Sequence, residues 1–313
     1  MIVRTIKLRI IKFPSQQSGR SEEPLIAYRL RACKGLTLIE LLVALVISGV
    51  LTAALYRTFI GQHKTYAAQE QIVDMRQNAR VAISGMMREI RMAGFGNVSM
   101  VLPVRFVAYG QTRTFNNVIN PDTPVAGSIT IVTATQDFAN ITNIDLPNNK
   151  VTLNRLTNLQ GTLLFDTENK KYISIGGLEA HEITNISGTD LTLKSNIILN
   201  HPINTPVFPI RAISYQVVLE DNKTDLKRDE NIEGGRQPLA ENIEDIQFEY
   251  LDANANPTVN PTAIRMVRVT VHARTSSRDL EFKSDPQFKV GKGGFRRRTI
   301  SSNILVRNMG ANP

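Results

Sequence analysis

The sequence predicts an α+β protein: one long N-terminal α-helix, half transmembrane and half amphipathic, packed on an antiparallel β-rich globular head. Three observations carry that expectation. Residues 36–55 (LTLIELLVALVISGVLTAAL) form an apolar run with one ionisable side chain, Glu40. Behind it, Ile72, Met75, Ala79, Ile83, Met86 and Ile90 recur at steps of three and four, the period of one helix face. From Asn97 onward, short alternating runs are parted by Asn, Asp, Gly and Pro. Helices do not alternate with these strands, which excludes a parallel α/β architecture.

Each element can be justified in chain order. The apolar run would span about 30 Å as a helix, one hydrocarbon thickness. Arg29, Arg31 and Lys34 stand just before it, and residues 1–35 hold eight of the 37 Lys and Arg with only Glu22 and Glu23 opposed. Most of the +9 net charge therefore sits at one end. That asymmetry is a topology signal: the basic flank stays in the cytoplasm and the chain after Tyr56 is sent outward. A buried soluble helix, a cleaved secretory signal and a plain membrane anchor compete for the same run. Glu40 argues against the bland versions, because a carboxylate inside an apolar helix costs about 2.5–3.5 kcal/mol on insertion scales. Thr52-Ala53-Ala54 is a poor signal-peptidase site, and Cys33 precedes the apolar stretch where a lipoprotein Cys would follow it.

The segment Lys34-Gly35-Leu36-Thr37-Leu38-Ile39-Glu40-Leu41-Leu42-Val43-Ala44 resembles the leader and first helix of type IV pilins and pseudopilins. The resemblance implies that residues 1–35 are a cytoplasmic leader, that prepilin peptidase cuts between Gly35 and Leu36, and that the new amine of Leu36 is methylated. The first mature residue is Leu where the family usually has Phe, and the leader is long. Cleavage would place a positive amine beside the apolar layer that holds Glu40. Glu40 of one subunit pairing with the Leu36 amine of its neighbour would neutralise both and set axial register. Truncating one partner of such a buried pair costs about 3–5 kcal/mol. A Glu snorkelling at the membrane edge is the simpler alternative.

The helix is expected to run on from the span through the amphipathic stripe. Glu70, Asp74, Arg76, Arg80, Arg88, Glu89 and Arg91 would form its solvated or partner-facing side, and the glycines of Arg91-Met92-Ala93-Gly94-Phe95-Gly96 would end it. From Leu36 to Ala93 it would measure about 85 Å. Its apolar half would need a membrane or a bundle of like helices for shelter. The expected division is 36–96 for the helix, with the span at 36–55, and 97–313 for the head. Strands are expected at 128–135, 150–156, 162–166, 172–175, 179–186 and 190–193, then at 211–219, 243–251, 265–273 and 299–306. Residues 111–127, 221–238 and 252–262 read as loops. Arg211 to Gln216, the run Leu239 to Tyr250 and the closing stretch 296–307 resemble the PilW-type minor pilins. The J-type minor pseudopilins of type II secretion share a related layout.

Other chemistry is sparse. The single Cys33 excludes a disulfide scaffold, and one apolar run excludes a multi-pass membrane protein. No G-x-S-x-G, H-E-x-x-H or P-loop occurs, since Gly291-Lys292-Gly293-Gly294 lacks the upstream Gly and the Ser or Thr. Gly94-Phe95-Gly96 closes a helix where a dinucleotide fingerprint would open one. His63, His181, His201 and His272 are scattered, although folding could bring two of them to a carboxylate. Asp252, Asn254 and Asn256 have the opening spacing of a calcium loop, but Pro257 stands where the sharp turn needs Gly and no bidentate Glu follows. An Asx-rich turn explains them more simply. Arg296, Arg297 and Arg298, with Lys289 and Lys292, are the basic knot of the mature chain. They guard a sheet edge or touch DNA phosphates, and the lack of interleaved aromatics for base stacking favours the edge, while the absence of Trp argues against a sugar-binding aromatic platform.

The resemblance implies a minor type IV pilin, a structural subunit with no cofactor and no enzymatic reaction, which helps initiate or cap a pilus. Its partners would be other minor and major pilins through the N-terminal helix, prepilin peptidase, the inner-membrane assembly platform and the lipid bilayer, with DNA at Arg296, Arg297 and Arg298 the disfavoured reading. It would reside in the bacterial inner membrane with its head in the periplasm, then in a pilus or pseudopilus. A J-type pseudopilin and a membrane-anchored periplasmic binding module are the alternatives.

Overall fold

The computed structural model describes residues 37–221, 223–232, 234–278 and 294–309. One long helix, α1 (Leu38–Met92), precedes the sheets, as the hydropathy pattern requires. The chain divides into two compact units at Ile60 and Gly61, within α1. In the first unit every described residue is exposed, Leu38 by 82% and Leu45 by 69%. In the second, Met75, Ala79, Ile83, Met86 and Ile90 are buried, so the stripe read from the sequence is the face that packs on the sheets. Glu89 departs from expectation. It flanks the stripe one position before Ile90 and turns inward, accepting from the buried Tyr215 hydroxyl and from Arg228 Nε at 3.0 Å.

The head begins with a short 3-10 turn (Val98–Val101) and a hairpin of β1 (Val104–Ala108) and β2 (Gln111–Phe115). Then come β3 (Ile119–Pro121), β4 (Ile129–Ala134), β5 (Ala139–Asp145), β6 (Lys150–Leu153), β7 (Tyr172–Ile175), β8 (Glu179–Ser187) and β9 (Asp190–Leu193). The long β10 (Pro206–Glu220) is followed by β11 (Lys223–Asp229), β12 (Arg236–Ala240), β13 (Ile243–Leu251), β14 (Met266–Arg274) and β15 (Arg297–Leu305). All pairings among them are antiparallel.

β10 organises the largest sheet. Its first residues pair with both β5 and β7, its middle with β4, and its second half with β11, which carries β12. From β5 the pairing passes through β6, β9, β8 and β7 back to β10, so these strands close a ring. Alternate residues of the ring (Ala139 and Ile141, Val151 and Leu153, Ile173 and Ile175, Leu191 and Leu193) form a core of their own with Leu164 and Phe165. Period-two alternation puts these side chains on one face, and the closed ring is filled by them. β4 is buried at all six positions, the mark of a strand covered on both faces. β13, β14 and β15 form a separate sheet in which Val267, Val269, Val271 and Ala273 alternate inward.

Three sequence expectations are corrected. Residues 162–166 are not a strand. Leu163 makes one isolated bridge to Thr157, and Asp166 Oδ1 draws the chain into a turn by accepting the N–H of Glu168, Asn169 and Lys170 at 2.7–2.8 Å. Residues 111–127 contain β2 and β3, and residues 221–238 contain β11 and the start of β12. Both segments are polar because only a few positions, such as Phe115 and Leu226, face the core.

The turn after α1 is glycine-dependent. Gly96 has φ +90°, and a Cβ there would lie 2.7 Å from Ala134 Cβ and 2.9 Å from Ser174 Cβ. Gly96→Ala is therefore expected to destabilise the head by about 2–5 kcal/mol, combining backbone strain with overpacking. Urea denaturation of the detergent-solubilised chain would measure it, and a loss under about 0.5 kcal/mol would contradict the packing described.

Candidate functional site

The start of α1 is built by a reciprocal cap. Thr37 N and Oγ1 donate to Glu40 Oε2 at 2.8 and 2.9 Å, and Glu40 N donates to Thr37 Oγ1 at 3.3 Å. This is a capping box, which satisfies helix donors that have no intrahelical partner and sets a negative charge at the positive end of the helix dipole. The spacing T-x-x-E is visible in the sequence, yet sequence reasoning treats Glu40 only as a charge in an apolar layer and misses Thr37.

Beyond Glu40 the span carries two further polar side chains, Ser48 and Thr52. Ser48 Oγ donates to Ala44 O, and Thr52 Oγ1 to Ser48 O at 2.8 Å. Both hydroxyls are satisfied by the helix's own backbone, as an apolar solvent demands. Among the described residues α1 is the one helix long and apolar enough to cross a membrane, and its most apolar window is wholly unburied. Gly35 and Leu36, the expected processing pair, lie outside the described residues.

The calcium-like spacing is built as a turn. Asp252 Oδ1 accepts the N–H of Asn254 at 2.8 Å and of Asn256 at 2.9 Å, an Asx turn between β13 and the 3-10 turn Pro261–Ala263. Arg297 grips Glu244 with Nε and Nη2 at 2.5 and 2.8 Å, and Arg298 is exposed on β15, an outer strand of its sheet. Lys289 and Lys292 lie outside the described residues, as do Gly291 and Gly293. His272 meets Thr299 at 2.9 Å, and His63 lies on α1.

Folding does bring two histidines to one carboxylate. Glu179, His181 and His201 are all buried. His201 Nε2 donates to Glu179 Oε1 at 2.5 Å, and the N–H of Ile198 and Leu199 reach the same carboxylate at 3.0 and 3.4 Å. His181 Nδ1 lies 2.8 Å from Ser195 Oγ, while its Nε2 lies 3.4 Å from Glu179 Oε2 without a hydrogen bond. A Ser, a His and a Glu thus stand in series. The carboxylate is already committed to His201 and two amides, so the network straps residues 195–201 to β8. Among the described residues no group of three or more His, Cys, Asp or Glu is arranged to hold a metal ion. Glu179 and His201 are 22 positions apart, and no local spacing announces their meeting.

Burial pushes the Glu179 carboxyl up, but the Ile198 N–H, His201 and His181 outweigh it and hold it below the usual value. Burial pushes the His181 ring down, and Glu179 offsets this only in part.

Residues 30–56 match the family model of the prokaryotic N-terminal methylation motif. Comparison with curated proteins and with solved structures returns no match to this chain. The motif, together with the apolar helix behind it, supports a type IV pilin-like or pseudopilin-like protein with a membrane-anchoring helix.

Both shifts in the buried network act on acid stability in the same direction. A folded value below the unfolded one gives stability that is complete above the unfolded value and lost as pH falls through the folded value. For His181 that loss lies below its ordinary 6.5, and for Glu179 below its ordinary 4.5. The melting temperature is therefore expected to fall progressively as pH drops from neutral, and His181→Gln is expected to flatten the upper part of that decline. Melting curves from about pH 4 to 8 would check this, and a melting temperature that rises on acidification would contradict it.

Proposed function

We propose that the protein is a minor type IV pilin, a structural subunit that helps initiate or cap a pilus after prepilin peptidase removes residues 1–35. The observation that carries this reading is the helix segment 38–55, apolar and exposed along its whole length, with Glu40 as its one charge, inside a matched methylation motif. Such a surface is sheltered by lipid before assembly and by like helices afterwards. In the filament, the Glu40 carboxylate that caps its own helix in the isolated chain would meet the Leu36 amine of a neighbouring subunit. That contact removes two charges from an apolar layer in one step. Other pilins, the inner-membrane assembly platform and prepilin peptidase are the partners of this reading, and the described β-rich head faces the periplasm or the exterior. The head is larger than filament packing alone requires, which supports a minor, tip-proximal subunit over the bulk one. The J-type pseudopilin of type II secretion shares the helix and the motif, and differs in giving an export defect on deletion where the pilin gives a motility or adhesion defect.

Glu40→Gln separates the two duties of Glu40, because a Gln at this position still completes a capping box but carries no charge. Glu40→Gln and Glu40→Ala are both expected to insert in the membrane and both to vanish from sheared filaments. Immunoblots of the membrane and sheared fractions give the result. Filament incorporation of Glu40→Gln at wild-type level would exclude the charge pairing, and full function of Glu40→Ala would favour the anchored binding module. Intact mass of the native protein should show a chain beginning at methylated Leu36, and an uncut chain would overturn the reading.

A further inference from the structure

The head holds a cavity of about 610 Å³ between the last turn of α1, the β4–β5 connection, residues 158–170 and β10. That volume falls in the range of sites for small organic ligands. Part of the lining is aromatic: Phe95 meets Phe208 edge-on with ring centroids 5.6 Å apart, and Phe138 lies 5.8 Å from Phe208. Phe138 is exposed by 40% and stands at the mouth.

The lining is also cationic. Arg211, only 5% exposed, lines the cavity, and Lys170 lines it beside Arg211. Neither pairs with a carboxylate among the described residues. Arg211 donates to Ile210 O at 3.1 Å and to Leu164 O at 3.2 Å, and Lys170 Nζ donates to Leu163 O at 2.7 Å. Consecutive carbonyls of one strap therefore hold two like charges together. Burial, and then the Arg211 charge, push the Lys170 ammonium below its usual value, and Asp166 and Glu230 offset this only in part. A buried cation whose direct hydrogen-bond partners are neutral carbonyls is costly, and a guanidinium has five donors, of which two are used here.

The charges of Glu230, Asp166 and Asp137 favour the Arg211 cation, yet burial outweighs them, and among the described residues none of the three forms an ion pair with it. Glu89 and Glu230 are both taken by Arg228, at 3.0 and 2.8 Å. Asp137 is exposed at the rim, where it disfavours a second negative charge on anything that enters. A molecule with one negative charge for the cations and an apolar body for the aromatic rings fits this lining.

We propose that this cavity binds a monocarboxylate with an aromatic or bulky apolar body, its carboxylate received by Arg211 and Lys170 and its body held by Phe95, Phe138 and Phe208. The planar guanidinium matches a carboxylate in bidentate fashion. The same chemistry is presented by a free aryl-alkyl acid and by the C-terminal residue of a peptide ending in Phe. The site lies wholly within the second unit and requires no filament, so its existence is independent of the assembly role.

The test is calorimetry on the detergent-solubilised full chain with four probes: 3-phenylpropionate, 3-phenylpropionamide, and a Phe-terminated tetrapeptide as free acid and as amide. At least one acid is expected to bind about ten-fold or more tightly than its own amide, the worth of one charge-assisted contact in a desolvated site. Tighter binding of the small acid assigns a free metabolite as ligand, and tighter binding of the peptide acid assigns a chain terminus. The preference should disappear in Arg211→Met. Should that variant fail to fold, as circular dichroism would report, Lys170→Gln, at a half-buried position, should still reduce the preference about five-fold. Equal binding of acids and amides, no binding of any probe up to about 10 mM, or a preference unchanged in a folded variant overturns the proposal.

Discussion

The C-terminal end of α1 is the constraint on which the rest of the head depends. A helix leaves its last carbonyls without intrahelical donors, and here two distant chain segments supply them. Thr133 Oγ1, on β4 of the large sheet, donates to Met92 O at 2.8 Å. Arg307 N, just past β15 of the three-stranded sheet, donates to Arg91 O at 3.2 Å. Gly94 then gives its own N–H to Val132 O at 3.0 Å, and Phe95 O accepts from Ala134 N at 2.9 Å. Both sheets are thus fastened to the same turn of helix. The glycines permit it, since Gly94 and Gly96 have φ of +83° and +90° and both lie against backbone or side chains that leave no room for a Cβ at normal distance.

The packing of α1 reinforces that fastening. Its apolar stripe shares one core with Ile129 and Ile131 of β4, Ala212 and Tyr215 of β10, and Val269 and Val271 of β14. Tyr215 and Arg228 converge on Glu89, so a charged residue at the flank of the stripe joins helix, β10 and β11. Burial first, and the Glu89 charge second, raise the Tyr215 hydroxyl far above its usual value and keep it a donor. A second network, in which the wholly buried Asp229 receives Arg113 at 3.2 Å, ties the β1–β2 hairpin to β11. Arg113 and Arg236 both lie over the Tyr109 ring, at 5.6 and 4.9 Å.

Legibility in the sequence tracks the pattern of burial. The stripe Met75, Ala79, Ile83, Met86, Ile90 and the alternation of Val267, Val269 and Val271 are read directly, because packing on one face leaves a period in the residues themselves. β11 (KTDLKRD) is illegible because its partners supply the order: it pairs with β10 residue by residue while only Leu226 and Asp229 are buried. Residues 162–166 mislead in the other direction. The apolar run Leu163-Leu164-Phe165 reads as a short strand, but its one strand-like pairing is the isolated bridge of Leu163 to Thr157, and Asp166 bends the backbone over Glu168 to Lys170. At the N-terminus the charge of Glu40 and its apolar setting are plain, and the cap with Thr37 is present in the spacing but easily passed over. The Glu179 network and the Arg211 cavity depend on residues tens of positions apart, which only the closure of the sheets brings together.

The ring formed by β5, β6, β9, β8 and β7 leaves β10 and returns to it. It has its own filling of side chains, while Tyr172 of β7 and Ala180 of β8 join the core that α1 shares. Substitutions at Leu146 and Leu159, both more than half exposed in its outer turns, act on the ring alone, whereas the β7–β8 turn is tied to the end of α1, because the Leu178 carbonyl accepts from Asn97 Nδ2 at 3.0 Å.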